Sequence, residues 1–107
     1  MIKHILFLDD EKIPEWFGIV VNDLVDVATS YIEAVRLINN NTYQIMYLDH
    51  DIGSSTKDGS IILQRYMQLG RQVPQKVYCI SWNPVGVERI RLVCEDWNIP
   101  FEAIGRL

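Results

Sequence analysis

The sequence predicts an α/β fold: a three-layer sandwich on a five-stranded parallel sheet of order 2-1-3-4-5, with a reduced first helix and no final helix. Three observations predict it. Short apolar runs alternate with segments of helical period along the whole chain. The runs have few polar interruptions, as expected of strands buried on both faces. Repeated strand–helix–strand alternation folds as a parallel sheet wrapped by helices.

Ile2 to Leu8 is the first strand, ending at Asp9 and Asp10. The segment EKIPEWFGIVVN contains Pro14 and Gly18, so any helix there is about one turn long. Leu24 to Ala28 is a weaker second strand. Ser30 with Glu33 forms a capping box, and Ile32, Val35 and Ile38 continue at helical spacing to the stop at Asn39-Asn40-Asn41. Tyr43 to Leu48 is the third strand and ends in Asp49-His50-Asp51. After the polar stretch GSSTKDG, in which Asp58 serves the turn and helix start, Ile62, Tyr66 and Leu69 mark a helix closed by Gly70. Lys76 to Ile80 is the fourth strand, running into Ser81-Trp82-Asn83-Pro84. Val87, Ile90, Cys94 and Trp97 line a third helix, and Phe101 to Ile104 supplies a short fifth strand. The strand order is the flavodoxin-like one.

Length and composition bound the function. The 107 residues suit one domain, 1–107, and 49% apolar with 22% charged residues is ordinary for a globular chain. Ten basic against 14 acidic residues give a net charge of −4. That excludes an extended nucleic-acid surface, which works by neutralising phosphates, but leaves room for a local phosphate site. The opening MIKHILFLDD is neither a secretory signal nor a membrane span. Cys79 and Cys94 have no metal-ligand or CxxC spacing and read as small buried thiols of a cytoplasmic protein. His4, inside the first strand, reads as a satisfied or edge histidine rather than a ligand.

Ligands of open parallel sheets bind beyond the carboxyl ends of the strands. Three neighbouring strands end there in polar clusters: Asp9-Asp10, Asp49-His50-Asp51, and Ser81 with Asn83. Three unpaired carboxylates would repel one another, and a hard oxygen-binding cation such as Mg²⁺ resolves the repulsion. Asp9, Asp10 and Asp49 are therefore the expected metal ligands. Ser81 and Asn83 are the expected phosphate donors, and His50 and Asp51 the expected acid–base groups, with Asp49 at the catalytic centre. Asn83-Pro84 is by itself an ordinary turn, and Trp16, Trp82 and Trp97 are first of all packing residues. Trp82 has the alternative of forming a wall against a base or sugar.

With these residues in view, MIKHILFLDD followed by YQIMYLD resembles the receiver domains of two-component signalling. Asp9, Asp10, Asp49 and Ser81 match their acidic pair, phosphoacceptor aspartate and hydroxyl residue. Receivers also have a lysine after the fifth strand; NIPFEAIGRL has none, and Arg106 is the nearest cation there. LDDEKIPEW, YLDHDIGSSTKDG and ISWNPVGVERI resemble more specifically the cyclic-phosphate-processing receiver domains, a group found in phages and bacteria and associated with RNA repair. The histidine which that group places before the serine is Ile80 here.

The resemblance implies Mg²⁺-dependent hydrolysis of a cyclic phosphate on a nucleotide or RNA end. Two alternatives stay open. One is a catalytically weakened binding module with a protein partner, such as a small phage factor. The other is a signalling receiver phosphorylated on Asp49.

Overall fold

The computed structural model describes residues 2–52 and 58–105. Five strands form one sheet: β1 (Ile2–Leu8), β2 (Val25–Ala28), β3 (Thr42–Leu48), β4 (Lys76–Cys79) and β5 (Phe101–Ala103). Every pairing is parallel and the order is β2-β1-β3-β4-β5, as the alternation of elements predicts. Three helices complete it: α1 (Tyr31–Asn40), α2 (Gly59–Gln68) and α3 (Pro84–Asp96).

Strand order and crossover handedness dictate where the helices lie. The β2-to-β3, β3-to-β4 and β4-to-β5 connections all advance in one direction across the sheet. Right-handed crossovers then place α1, α2 and α3 on one face. The β1-to-β2 connection runs the other way and crosses the opposite face. It contains only a 3-10 turn, Pro14–Phe17, closed by Gly18 at φ 76°. The third layer of the sandwich is that turn with its flanking loop.

The core divides accordingly. On the helical face Leu6, Leu8, Met46, Leu48 and Cys79 pack against Ala34, Ile38, Leu63, Ile90 and Cys94. On the other, Ile5, Phe7, Val25 and Ile80 pack against Phe17 and Ile19. Both cysteines are free and buried. Ile5, Leu6, Phe7 and Leu8 of β1 alternate between the two clusters, which is why the second half of the strand reads as a continuous apolar run.

The helix termini follow their caps. Ser30 Oγ accepts from the Glu33 N–H at 3.2 Å, while Glu33 Oε1 accepts from Thr29 N–H at 2.7 Å. Arg71 donates to the carbonyls of Ile38 and Asn39 and closes the other end of α1. Gly70 follows α2 at φ 74°, the left-handed conformation expected of it. Three apolar positions of the helical stripes, Ile32, Leu69 and Trp97, are exposed. Ile32 is 81% exposed, because six residues of helix set it about 120° from Ile38. Leu69 and Trp97 are already the C-caps of α2 and α3, where each helix ends.

Strand register brings the polar ends together. Leu8 pairs with both Ala28 and Leu48, and Leu48 with Cys79. The ladder runs one residue further, with Asp9 N–H donating to Ala28, Asp49 N–H to Leu8 and Ile80 N–H to Leu48.

Candidate metal and phosphate site

Asp9 shapes the first loop. Its Oδ1 accepts from the backbone N–H groups of Glu11 and Lys12, each at 2.8 Å, turning the chain back immediately after β1. The turn returns the Lys12 side chain over the strand ends. Lys12 Nζ lies 2.9 Å from Asp9 Oδ2 and 3.7 Å from Asp49 Oδ1.

Asp9 and Asp49 are buried, Asp10 is exposed, and one oxygen from each of the three lies within 4.8 Å of the others. Burial pushes the Asp49 carboxyl up to about 6, and the charge of Asp9 adds to this. Lys12 and the His50 N–H, 2.9 Å from Asp49 Oδ1, act the other way. Burial alone would lower the Lys12 pKa, but its hydrogen bond to Asp9 and the charges of Asp49 and Asp9 hold it above its ordinary value. Three carboxylates against one ammonium leave two formal negative charges. An all-oxygen donor set with that deficit suits a hard divalent cation.

The opposite wall comes from the β4–α3 junction. Ser81 Oγ accepts from Asn83 N–H at 3.1 Å, so its own hydroxyl proton is free to donate. Asn83 caps α3, its Oδ1 accepting from Val85 N–H at 3.0 Å, which leaves the side-chain amide as donor. Trp82 is 64% exposed beside them, with Lys12 Nζ 4.7 Å from its ring centroid. Asp9, Asp10, Lys12, Asp49, Asp51, Ser81, Trp82 and Asn83, with Glu11, line one cavity of about 240 Å³. A similar hollow between α1 and α2, lined by Asn39, Arg65, Gln68 and Leu69, gathers no comparable chemistry.

His50 stands apart from that lining. Its Nδ1 is 3.1 Å from Asp51 Oδ1, and its Nε2 is 3.2 Å from Asp58 Oδ2 without hydrogen-bond alignment. A Cβ on Gly86 would overlap the His50 side chain, so α3 admits the ring only because residue 86 is glycine. Arg89 Nη1 lies 3.7 Å from the same Asp58 oxygen. Asp58 also caps α2 through Ser60 and Ile61 N–H. Gly59 is similarly constrained, since a Cβ there would meet the Asp49 carbonyl.

The fold thus gathers Asp9, Asp10, Asp49, Asp51, Ser81 and Asn83 around one hollow and turns the His50 ring away from it. Ile80, at the position of the expected histidine, is fully buried beneath the Pro14–Phe17 turn. His4 Nδ1 is 2.9 Å from Gln44 Oε1, near the far end of the sheet. Lys12 is the cavity-lining side chain that sequence reasoning did not single out. Its signal was the basic residue three positions after Asp9 in DDEK. Arg106, and residues 53–57 of the GSSTKDG stretch, lie outside the described residues.

Comparison with known proteins agrees with this architecture. A response regulator receiver domain from Methanospirillum hungatei, described as CheY-like, superposes with a TM-score of 0.62 at 18% identity, covering 98% of this chain and 82% of that one. A response regulator from Burkholderia pseudomallei gives 0.64 at 16% identity, covering 94% and 59%. NtrX from Brucella abortus gives 0.62 at 20% identity, covering 98% and 23%. These likenesses show the fold, and the chain spans under two thirds of the last two proteins. No curated protein matches it. The family model described as "Cyclic-phosphate processing Receiver domain" matches residues 4–96. On that match, which takes in both acidic strand ends and the Ser81–Asn83 loop, the chain belongs to the cyclic-phosphate processing receiver domain family.

Proposed function

We propose that this domain hydrolyses a cyclic phosphate on a nucleotide or RNA end to an open phosphomonoester, at a site where Asp9, Asp10 and Asp49 hold Mg²⁺. The observation that supports it is the single cavity in which those carboxylates face Lys12, Ser81, Asn83 and Trp82, in a chain of a family described by cyclic-phosphate processing. The Burkholderia structure holds a calcium ion and a phosphorylated aspartic acid on the same fold, which favours a divalent cation and a phosphoryl group as ligands here.

When bound, the divalent ion supplies Lewis-acid stabilisation of negative charge on the phosphoryl oxygens. The chain's own groups do the rest. The Ser81 hydroxyl, the Asn83 amide and the N-terminus of α3 present donors and a positive dipole end to the phosphate. Asp51 lines the cavity with its carboxylate steadied by His50 Nδ1, and it is the group placed to carry a proton. Water adds to phosphorus and one ring P–O bond breaks. The departing oxygen then takes up the proton that water gives up, relayed through Asp51. Trp82 offers an apolar wall to the sugar or base.

Phosphorus NMR with Mg²⁺ and nucleoside 2′,3′-cyclic phosphates, alongside an oligonucleotide ending in a cyclic phosphate, tests this. The expected result is a ring-opened monoester formed by the wild type and not by Asp49→Asn. Equal conversion by both proteins, or none by either, overturns the assignment. A second reading, binding without hydrolysis, is favoured by the placement of His50 and Ile80, since neither puts an imidazole in the cavity. Substrate resonances that shift on protein addition without conversion would select it.

A further inference from the structure

Lys12 sits at the carboxylate cluster as an internal counter-ion. Its side chain is 11% exposed, its backbone N–H is pinned by Asp9 Oδ1, and Nζ bonds Asp9 Oδ2 at 2.9 Å. Both oxygens of Asp9 are therefore committed, one to two backbone N–H groups and one to the ammonium. The backbone pair is built into the turn. The ammonium rides on four rotatable methylenes and is the contact that can be exchanged.

A divalent ion and an ammonium repel strongly at a few ångströms and cannot share Asp9 Oδ2. For Asp9 to ligate through that oxygen, Nζ must leave it. The space beside it is the cavity bounded by Trp82, over whose ring Nζ already lies, with Ser81 and Asn83 beyond.

We propose that Lys12 is an exchangeable internal cation: it occupies the carboxylate cluster when no divalent ion is bound, and is displaced into the cavity by Mg²⁺ to become the side chain that grips a phosphoryl oxygen. The site would thus alternate between a self-neutralised form and a loaded form that presents a new positive charge to its ligand. No second cation is needed from the end of β5. The phosphoryl half of the inference rests on the function proposed above; the exchange itself does not.

Isothermal titration of the full chain with Mg²⁺ alone, and then with inorganic phosphate at saturating Mg²⁺, tests it on wild type and Lys12→Met. The variant keeps the apolar stem and loses the charge. It is expected to bind Mg²⁺ about tenfold more tightly, since a competing charge is gone, and to lose phosphate binding. Equal or weaker Mg²⁺ affinity in the variant, or no Mg²⁺ binding by either protein, overturns the exchange. Undiminished phosphate binding by the variant overturns the phosphoryl role. The native chain gives a reading that needs no Lys12 variant: Mg²⁺ moves Nζ relative to the Trp82 ring and changes tryptophan emission, an effect absent from Trp82→Phe. Unchanged wild-type emission at saturating Mg²⁺ counts against the exchange. None of these readouts requires turnover. A chain that exchanges Lys12 but leaves cyclic phosphates intact refutes the hydrolysis alone.

Discussion

Asp49 is a carboxyl held where ionisation is costly. Its pKa is raised to about 6 by burial and by Asp9, in spite of Lys12. The folded value lies above the ordinary carboxyl value near 3.9. Its contribution to stability is therefore fully present below about pH 4 and is lost as pH rises through about 6. In buffer free of divalent ions, Asp49→Asn is expected to be more stable than wild type at pH 7.5 by about 1–3 kcal/mol, and no more stable at about pH 4. Urea denaturation at the two pH values measures this, and a pH-independent difference would refute the assignment. The residues of this site differ in how legible they are. Asp9, Asp10, Asp49, Ser81 and Asn83 can be read from the sequence because each follows a buried strand, and parallel register makes strand ends coincide. Lys12 cannot be placed that way, because its position depends on a carboxylate–backbone turn rather than on a strand. His50 is legible as a neighbour of the site, but its direction depends on the missing side chain of Gly86, some 36 positions further along the chain.

Among the elements, α2 owes its start to Asp58, and that residue divides its two oxygens between separate tasks. Oδ1 accepts from Ser60 N–H at 2.8 Å and from Ile61 N–H at 3.2 Å, as well as from the Ser60 hydroxyl. Oδ2 faces His50 and Arg89. Replacing Asp58 by Ala removes the cap and is expected to cost about 1–2 kcal/mol. Asp58→Asn keeps a capping oxygen and should cost less, the remaining loss being that of charge beside His50 and Arg89. Chemical denaturation of the two variants separates these roles; equal losses would show that the charge, not the cap, starts the helix. The start of α1 was readable because Ser30 and Glu33 are a local signal, satisfied within a few residues. Ile32 misled because spacing alone assigns a stripe without its centre, and the sheet selected Ala34 and Ile38. Pro14 and Gly18 foretold a short connection, and they become the N1 proline and left-handed cap of a single 3-10 turn.

Across the whole molecule, the sheet is covered unequally, and the thin side is the one coupled to the site. Three helices pack on one face, whereas the other depends on Phe17, Ile19 and the half-buried Trp16. Phe17 stacks at a tilt on Phe7 and Tyr47, with centroids 5.8 and 6.5 Å apart. The turn holding Phe17 is continuous with the loop that positions Asp10 and Lys12, so anchoring the turn also anchors half the cavity. Phe17→Ala is expected to destabilise the fold by about 3–5 kcal/mol, and Ile38→Ala, on the helical face, by about 2–5 kcal/mol. Their effects on the site should diverge. With each variant held well below its melting temperature, Phe17→Ala should weaken Mg²⁺ binding severalfold, because the loop must now be ordered at the expense of binding energy. Ile38→Ala should leave Mg²⁺ affinity near the wild-type value, since α1 contributes no residue to the lining of the cavity. Calorimetric titration of the two variants decides it. Equal weakening in both would mean that Mg²⁺ binding follows global stability, and that the turn acts only as cover for the sheet.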